Sequence, residues 1–372
     1  MRIITLVLTL CVALAAQGAP FTPNNLVVYR VGDGTTNLVN TGAKVFLDEY
    51  DTAGALVQSI ELPSAPADSN QLVASGTATS EGLITRSDDG MYLLVTGYRP
   101  NPFPYSSSLA GSAGSAVNRV IGRVDQNGIL STMALADYAS GNNPRSACSV
   151  DGSAVWMVGG AGGLRYAPWG AASSLQITTS ALVNIRQIKI ANNQLYVSTG
   201  SGAANTLVNS VSGGLPTTTN QYFETLPGLP SASASSAYSF VMFDLSDSEP
   251  GLDTMYVALD TQGAINKYCS VGGTWQYYGA VAAPSHRGLE GLAFGTLVRL
   301  FTTTGGGGAT GGGTLAVTTD ASGYTGTFSG TLFTLATATN NTAFRGVALA
   351  PLPEPGLFGL AGAALLVFLR RK

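Results

Sequence analysis

The sequence predicts an all-β fold, a six-bladed β-propeller. One segment recurs along the chain: an apolar run leads through an Asp, Asn or Gly turn into a denser apolar run, most clearly in Glu81–Gly97. Each copy is a hairpin signal. Only 10% of residues are charged and 47 are glycine, against a usual charged share of about 25%, so turn-rich β-structure is favoured over helix. The looser copies are Ser146–Gly160, Gln187–Gly200, Phe240–Asp260, Glu290–Thr304 and Arg345–Pro351.

The number of blades follows from counting strands. Copies recur every 40 to 65 residues, roughly the period of a four-stranded propeller blade. Five complete units fit between Glu81 and Leu335, and one strand, Arg345–Pro351, remains at the end. Three strands remain at the start: Leu26–Arg30, Lys44–Tyr50 and Ala55–Leu62. Because four strands make a blade, the remainders predict a sixth blade in which the two chain ends pair and leave no open edge.

Two other architectures remain open on the same pattern. Seven blades would follow if the long first unit held an additional one. A pair of β-sandwiches is the third alternative, although it does not explain why the leftover strands complete each other. The glycine-rich tract Gly305–Gly313 predicts a flexible loop within the last unit.

The amino terminus has the pattern of a secretory signal peptide, residues 1–18. A basic residue, Arg2, precedes the apolar run Ile3–Ala16, which is too short to span a bilayer. Small residues follow, and cleavage is expected between Gly18 and Ala19. The body of the protein is therefore predicted to be one domain, residues 19–352.

The body contains two cysteines, Cys148 and Cys269. A disulfide is chemically allowed in an exported protein. The two residues belong to non-adjacent repeat units, however, and a disulfide needs their Cα atoms within about 7 Å. Two buried free thiols are the favoured prediction.

The carboxyl terminus, residues 353–372, has three parts in order. Pro353-Glu354-Pro355 is followed by the apolar segment Gly356–Leu369 and then by Arg370-Arg371-Lys372. As a helix the apolar segment would extend about 21 Å, short of the roughly 30 Å hydrocarbon core of a bilayer. The basic end is expected to stay on the cytoplasmic side of the membrane.

This order of parts resembles the PEP-CTERM sorting signal of Gram-negative bacteria. The resemblance implies recognition by an exosortase-type enzyme, cleavage near Pro353–Pro355 and transient membrane association through the C-terminal helix. It further implies delivery to the cell surface or extracellular matrix, where proteins with such tails are associated with exopolysaccharide and biofilm. A plain anchor that is never cut is the alternative. The resemblance covers the tail only and does not identify what the body binds.

Few catalytic groups are available in the sequence. The only histidine is His286, so a zinc site made of several histidines is excluded. No Gly-x-Ser-x-Gly elbow, dinucleotide fingerprint or phosphate loop is present. The net charge of −3, without a basic stripe, makes a nucleic acid an improbable partner. No catalytic residue is predicted.

The most suggestive residues begin the inner strand of each unit, where they would surround one mouth of the central channel. Arg145, Arg186 and Arg287 lie one to three residues before three of the copies. The first residues of the six copies are Glu81, Ser146, Gln187, Phe240, Glu290 and Arg345.

Two of these residues predict a binding site. Glu81-Gly82-Leu83 and Glu290-Gly291-Leu292 are nearly identical and would face each other, so their carboxylates could hold a divalent cation. Their Glu-Gly openings resemble those of lactonase-type propellers, although that family's further Asn and Asp metal ligands are not evident here. The favoured interpretation is a solvated charge ring of Glu81, Glu290 and Arg345, with no cofactor.

The sequence therefore predicts an exported, surface-sorted, non-enzymatic binding or matrix-structural protein. A metal-dependent hydrolase of the lactonase type is one alternative, and a protein-binding scaffold using the long loop Arg99–Ala116 is another. Extracellular polysaccharide is the expected partner of the leading hypothesis, because aromatic side chains can stack on sugar rings. The candidate aromatics are Tyr98, Phe103, Tyr105, Trp169, Trp275, Tyr277 and Tyr278.

Overall fold

The chain forms a ring of six β-sheets. The structure is a computed structural model that describes residues 18–200, 207–230 and 236–354. Within these ranges there are 25 strands and no α-helix. Five sheets have four strands, and the sixth has four plus a two-residue edge strand. The prediction of a six-bladed, all-β propeller is confirmed.

The first three blades hold the N-terminal half of the chain. Blade 1 contains β1 (Leu26–Val31), β2 (Val45–Tyr50) and β3 (Leu56–Glu61). Blade 2 contains β4 (Thr85–Arg86), β5 (Leu93–Arg99), β6 (Asn118–Val124) and β7 (Leu130–Leu135). Blade 3 contains β8 (Pro144–Cys148), β9 (Ala154–Gly159), β10 (Arg165–Pro168) and β11 (Leu175–Gln176).

The last three blades follow the same order. Blade 4 contains β12 (Ile185–Ala191), β13 (Gln194–Thr199), β14 (Val208–Val211) and β15 (Phe223–Thr225). Blade 5 contains β16 (Ala237–Phe243), β17 (Thr254–Leu259), β18 (Ala264–Val271) and β19 (Thr274–Ala282). Blade 6 contains β20 (His286–Phe294), β21 (Leu297–Thr304), β23 (Thr314–Asp320) and β24 (Phe333–Thr337), while β22 (Gly311–Gly312) and β25 (Thr342–Leu349) belong to the sheet of blade 1.

The two chain ends close the ring as predicted. Strand β25 pairs antiparallel with β1, with Leu26 opposite Leu349 and Val31 opposite Ala343. It becomes the inner strand of blade 1. The six inner strands (β25, β4, β8, β12, β16 and β20) contact one another in cyclic order, so they surround a central channel.

The core lies between the blades rather than inside a single layer. Six buried apolar clusters each join one blade to the next, and the sixth, around Phe301 and Phe344, joins blade 6 back to blade 1. Alternate residues of a strand point to opposite faces of a sheet, so each strand feeds two of these clusters. Burying an apolar side chain contributes about 1.5–3 kcal/mol, and the ring burial therefore stabilises every blade from both sides.

The glycine tract differs from its predicted loop. Gly311 and Gly312 form β22, which pairs in parallel with Thr342 and Ala343 of β25. Gly311 has a φ of 70°, and a Cβ there would collide with the carbonyl oxygen of Thr342. Glycine is thus needed for close approach of two backbones, and part of the tract is a strand that adds an edge to blade 1.

Several other expectations can be compared with the described residues. Cys148 and Cys269 are buried free thiols, as predicted. The last unit was expected to end at Leu335, and its last strand, β24, extends to Thr337. In the part of the chain that the structure covers, no helix has the length and apolar character to cross a membrane. Residues 1–17 of the predicted signal peptide (1–18) and the predicted apolar segment Gly356–Leu369 lie outside the described residues.

Candidate functional site

The two ends of the central channel carry different sets of charged side chains. Five inner strands have a register irregularity near their first residues, where the inner strand holds one residue more than its neighbour. Such bulges redirect a side chain and are frequent near binding sites. The bulged segments begin with Arg145, Arg186, Tyr238, Arg287 and Arg345, and we call these five residues the arginine rim.

Tyr238 sits between two of the rim arginines. The Arg186 guanidinium lies 4.2 Å from the centre of the Tyr238 ring, and the Arg287 guanidinium lies 4.7 Å from it. Arg287 also donates two hydrogen bonds of 3.0 Å to the Asp260 carboxylate and one of 3.3 Å to the Thr79 carbonyl. The middle of the rim is therefore a cation–π stack with one carboxylate on one side.

The two outer rim arginines are almost fully buried. Arg145, 6% exposed, donates to the Asn184 side chain at 2.6 Å and to the Ile185 carbonyl at 3.2 Å. Arg345, 4% exposed, donates to the carbonyls of Gly306, Phe344 and Gly76 at 2.9–3.2 Å. Burial lowers the pKa of Arg145 to about 9 and that of Arg345 to about 10, because desolvation disfavours the charged form.

Glu81 lies before β4, between rim and core, and is 2% exposed. Its carboxylate accepts hydrogen bonds from the Tyr98 hydroxyl at 2.5 Å, the Asn143 amide at 2.6 Å and the Ser75 backbone N–H at 3.1 Å. Burial raises the pKa of Glu81, and these donors with Arg345 oppose that rise. The side chain thus fastens the start of blade 2 to blade 3.

The other end of the channel contains a cavity of about 200 Å³. Across it, Lys189 Nζ of β12 contacts Glu290 Oε2 of β20 at 3.2 Å. These strands belong to blades 4 and 6, so the ion pair spans the strand β16 between them. We call this opening the channel cavity. Its lining is Thr85–Asp88, Lys189–Ala191, Phe240–Phe243, Glu290 and Leu349.

The two predicted cation ligands have different surroundings. Glu290 is the fifth residue of β20, opposite Phe301, and is bound by Lys189 and by the Gly291 N–H. Glu81 precedes its strand and has the three donors given above, so the contacts of the two carboxylates have no residue in common. Among the described residues, no group of three or more His, Cys, Asp and Glu side chains could hold a metal ion. The divalent-cation site remains a prediction.

His286 begins β20 and lies against the channel wall. The residue is 7% exposed, and its Nδ1 is 3.2 Å from the Thr302 hydroxyl. Burial lowers its pKa to about 4, so the imidazole is neutral at pH 7. No carboxylate accepts from it in the part of the chain described, and it therefore lacks the third group of a Ser-His-Asp arrangement.

The candidate sugar-stacking aromatics are divided between core and surface. Tyr98 and Trp275 are buried, at 0% and 6% exposure, and pack in the core instead. Tyr277 is the exposed one, at 59%. Phe103 and Tyr105 of the long loop pack partly against a small cluster around Tyr98 and are half-buried.

The long loop Arg99–Ala116 is held in place by Arg119. This side chain is fully buried and donates to carbonyls of Leu109, Ala110, Ser112 and Val117. One guanidinium thus organises most of the second half of the loop. The scaffold hypothesis for Arg99–Ala116 remains untested.

The predicted processing sites lie at the edges of the described chain. Gly18 and Ala19 are exposed, and the Ala19 carbonyl accepts from Gln58 at 2.7 Å. Pro353 and Glu354 are also exposed, directly after Leu352, whose N–H donates to Gly90. The remaining sorting residues lie outside the described residues: Pro355, Arg370, Arg371 and Lys372.

Sequence reasoning missed the channel cavity. Lys189 and Arg86 are single basic residues within apolar strands, and no pattern marks them. The sequence does contain one pattern that marks the rim. Arg287-Gly288-Leu289 and Arg345-Gly346-Val347 are nearly identical and occupy equivalent bulges in β20 and β25. Aligning these two triplets would have placed Arg287, rather than Glu290, level with Arg345.

The chain was compared with known proteins at the levels of sequence and structure. No family model and no curated protein matches it. Solved structures do match, at low identity. A candidate 6-phosphogluconolactonase from Bacteroides uniformis is 11% identical over 85% of this chain and 83% of that one, with a TM-score of 0.45. A periplasmic gluconolactonase from Pseudomonas aeruginosa is 11% identical over 84% and 83%, also with a TM-score of 0.45. These are likenesses of overall fold, and no residue role is taken from them.

Proposed function

We propose that this protein is an exported, surface-sorted binding protein that holds one unit of an extracellular polysaccharide in the channel cavity. The signal-peptide pattern and the PEP-CTERM-like tail support the location. An exosortase-type enzyme is the proposed processing partner, acting at Pro353–Pro355. The observation that carries the binding proposal is the Lys189–Glu290 pair within a cavity of about 200 Å³.

The size of the cavity fits one ring-sized polar group. A volume of 200 Å³ equals the share of about seven water molecules in the liquid. Ligand sites in proteins combine apolar surface with a few placed polar groups, and the wall here has both kinds in about equal number, with six polar and charged residues beside seven apolar ones. Met242 and the half-buried Phe243 give apolar surface, while Arg86, Asp88 and the ion pair give hydrogen-bonding groups.

The ion pair is suited to hydroxyl groups. A carboxylate accepts and an ammonium donates, so adjacent hydroxyls of one sugar can bond to both partners without separating them. Charge-assisted hydrogen bonds of this kind are about twice as strong as neutral ones. Phe243 packs edge-on against Tyr256, with ring centres 6.2 Å apart, which fixes the orientation of its ring beside the pair.

The experiment is retention of the secreted body, residues 19–352, on the polysaccharide that its host secretes. This body contains every strand of the closed ring. Retention that free glycan competes away is expected. The double variant Lys189→Met with Glu290→Gln should bind at least tenfold more weakly, since two hydrogen bonds to charged groups of about 1.5–3 kcal/mol each are removed.

The matched control is the surface pair Lys44–Glu61, which is 3.0 Å apart and lies on blade 1. The same substitutions there, Lys44→Met with Glu61→Gln, should leave retention unchanged. Equal retention of the channel variant and the wild type, or no retention of the wild type at all, would contradict the proposal.

A further inference from the structure

The arginine rim holds more positive charge than its neighbours balance. Four guanidinium groups face two nearby carboxylates, Glu81 and Asp260. The carboxylate of Asp260 is already taken by Arg287, and that of Glu81 accepts from Tyr98, Asn143 and Ser75 rather than from a rim arginine. Buried charge without a partner is unfavourable. The imbalance therefore calls for a counter-ion from outside the chain.

The arginines lie close enough to repel one another around the rim. Arg186 is the second cause, after burial, that lowers the pKa of Arg145. Arg287 contributes in the same direction to the lowered pKa values of Arg186 and Arg345, again after burial. The strands that carry the rim residues are neighbours in the ring, in the order β8, β12, β16, β20 and β25. With the two stacks on Tyr238, this order places the four arginines along one arc.

Several donors of this arc have no acceptor in the part of the chain that the structure describes. Within it, the buried Nε atoms of Arg145, Arg186 and Arg345 have no hydrogen-bond partner, and neither has the buried hydroxyl of Ser239 next to Tyr238. Such groups are paired in most folded proteins. No acceptor for the Arg186 guanidinium occurs among residues 18–200, 207–230 and 236–354. Arg186 is also partly exposed, so it can be reached from solvent.

Arg186 differs in this respect from the rest of the rim. Arg145 and Arg345 hold backbone carbonyls, and Arg287 holds a carboxylate, which gives each a structural role. Among the described residues Arg186 stacks on Tyr238 and has no hydrogen-bond acceptor, so its guanidinium can donate to a ligand. A guanidinium held flat on an aromatic ring is preorganised to form two parallel hydrogen bonds with an oxyanion.

We infer that the arginine rim binds an oxyanion, the carboxylate or phosphate group of a small anionic ligand, with Arg186 as the principal contact. Arg186 precedes Lys189 by three residues and Arg287 precedes Glu290 by three, which separates the rim from the channel cavity by about 10 Å along the strands. The rim site is thus distinct from the cavity of the proposed function and does not depend on it.

The test is calorimetric titration of the body, residues 19–352, at low ionic strength with three probes. These are inorganic phosphate, glucuronate and glucose, the neutral sugar. We expect saturable binding of phosphate or glucuronate and no binding of glucose. The oxyanion that binds more tightly identifies whether the ligand's anionic group is a phosphate or a carboxylate. Added salt should weaken the binding, because it screens charges beyond about 10 Å at 0.1 M.

Two substitutions locate the site. Arg186→Met should weaken oxyanion binding at least tenfold, and Arg186→Lys should have an intermediate effect, because it keeps the charge and loses the paired donors. The control is Arg123→Met, which removes another aromatic-stacked arginine. Arg123 lies on blade 2, and its guanidinium is 4.3 Å from the centre of the Trp169 ring. It should not affect binding.

Two results would overturn the inference: no saturable binding of either oxyanion by the wild type, or equal weakening by the Arg186 and Arg123 substitutions. Thermal unfolding of each variant without ligand separates loss of fold from loss of binding. If Arg186→Met unfolded the body, the titration would rest on Arg186→Lys, and unchanged affinity in that variant would count against the site.

Discussion

The arginine rim and the channel cavity are built on the same inner strands, yet they treat charge in opposite ways. At the rim, Arg145 and Arg345 donate to backbone carbonyls, and the sum of charges is positive. At the cavity, Lys189 and Glu290 neutralise each other across the channel. Three residues along a strand thus separate an electropositive end, where three of the four arginines are bonded to the protein, from an end where the two charges of the ion pair balance. Substitutions at the two ends should therefore differ in their effect on stability.

The largest effect on stability is expected from Arg345→Met. The variant leaves three carbonyls at the rim without their donor. The unfolding free energy should fall by about 3–5 kcal/mol, since each buried acceptor left unpaired costs about 1–3 kcal/mol. Urea unfolding measures the change. The control is Arg299→Met, which removes a half-buried arginine that donates to the Thr52 carbonyl at 3.0 Å. Similar losses in both variants would remove the distinction between rim and surface.

His286 should make the rim end of blade 6 sensitive to acid. Its pKa is lowered by burial to about 4, below the usual value of about 6.5. The unfolded state therefore takes up a proton first, and the contribution to stability is complete above pH 6.5 and is lost as the pH falls through 4. At pH 4 the loss relative to pH 7 is on the order of 3 kcal/mol.

The variant His286→Phe should lack this loss. Phenylalanine is the residue at the equivalent position of the closing strand, where Phe344 precedes Arg345 as His286 precedes Arg287. The Thr302 hydroxyl keeps a partner, because it also donates to the Gly288 carbonyl at 2.7 Å. Urea midpoints of both proteins at pH 7 and pH 4 give the comparison, and an identical pH dependence would mean that His286 is not the group that titrates.

Glu81→Gln should have a smaller effect. The glutamine amide has one acceptor oxygen for three donors, so at least one buried donor loses its partner, at about 1–3 kcal/mol. Glu61→Gln, at an exposed carboxylate, is the matched control and should change stability little.

The metal content of the purified body separates the binding-protein proposal from the metal-dependent hydrolase alternative. A stoichiometric divalent ion that is lost in Glu81→Gln would favour the hydrolase.

Lys189→Met is expected to change stability least, by about 1 kcal/mol, because the pair is partly solvated. The side chains are 15% and 13% exposed. Adding Glu290→Gln should restore part of the loss, since it removes the carboxylate left without a cation. Thermal or urea unfolding of the two single variants and the double variant measures the coupling. A loss as large as that of Arg345→Met would show that the cavity pair is also structural.

The fold could be predicted further than the site. Leftover strands at the two ends, Leu26–Arg30 and Arg345–Pro351, were enough to predict the closure that β1 and β25 make. The matching triplets that begin at Glu81 and Glu290, by contrast, did not predict which residues the two carboxylates contact. Ladder register is set by pairing and bulges rather than by local similarity, and Arg86, not Glu81, shares the cavity with Glu290.

By itself, the sequence determined the repeat of hairpins and favoured six blades over seven or a pair of β-sandwiches. These depend on local turn chemistry, apolar alternation and strand counting, which act over a few residues at a time. Only the tertiary structure decided which charges meet. Lys189 and Glu290 are 101 residues apart, and Arg186 reaches Arg287 through Tyr238. Such pairs form because the closed ring brings non-adjacent strands to one channel, and the relative positions of those strands depend on the packing of every blade between them.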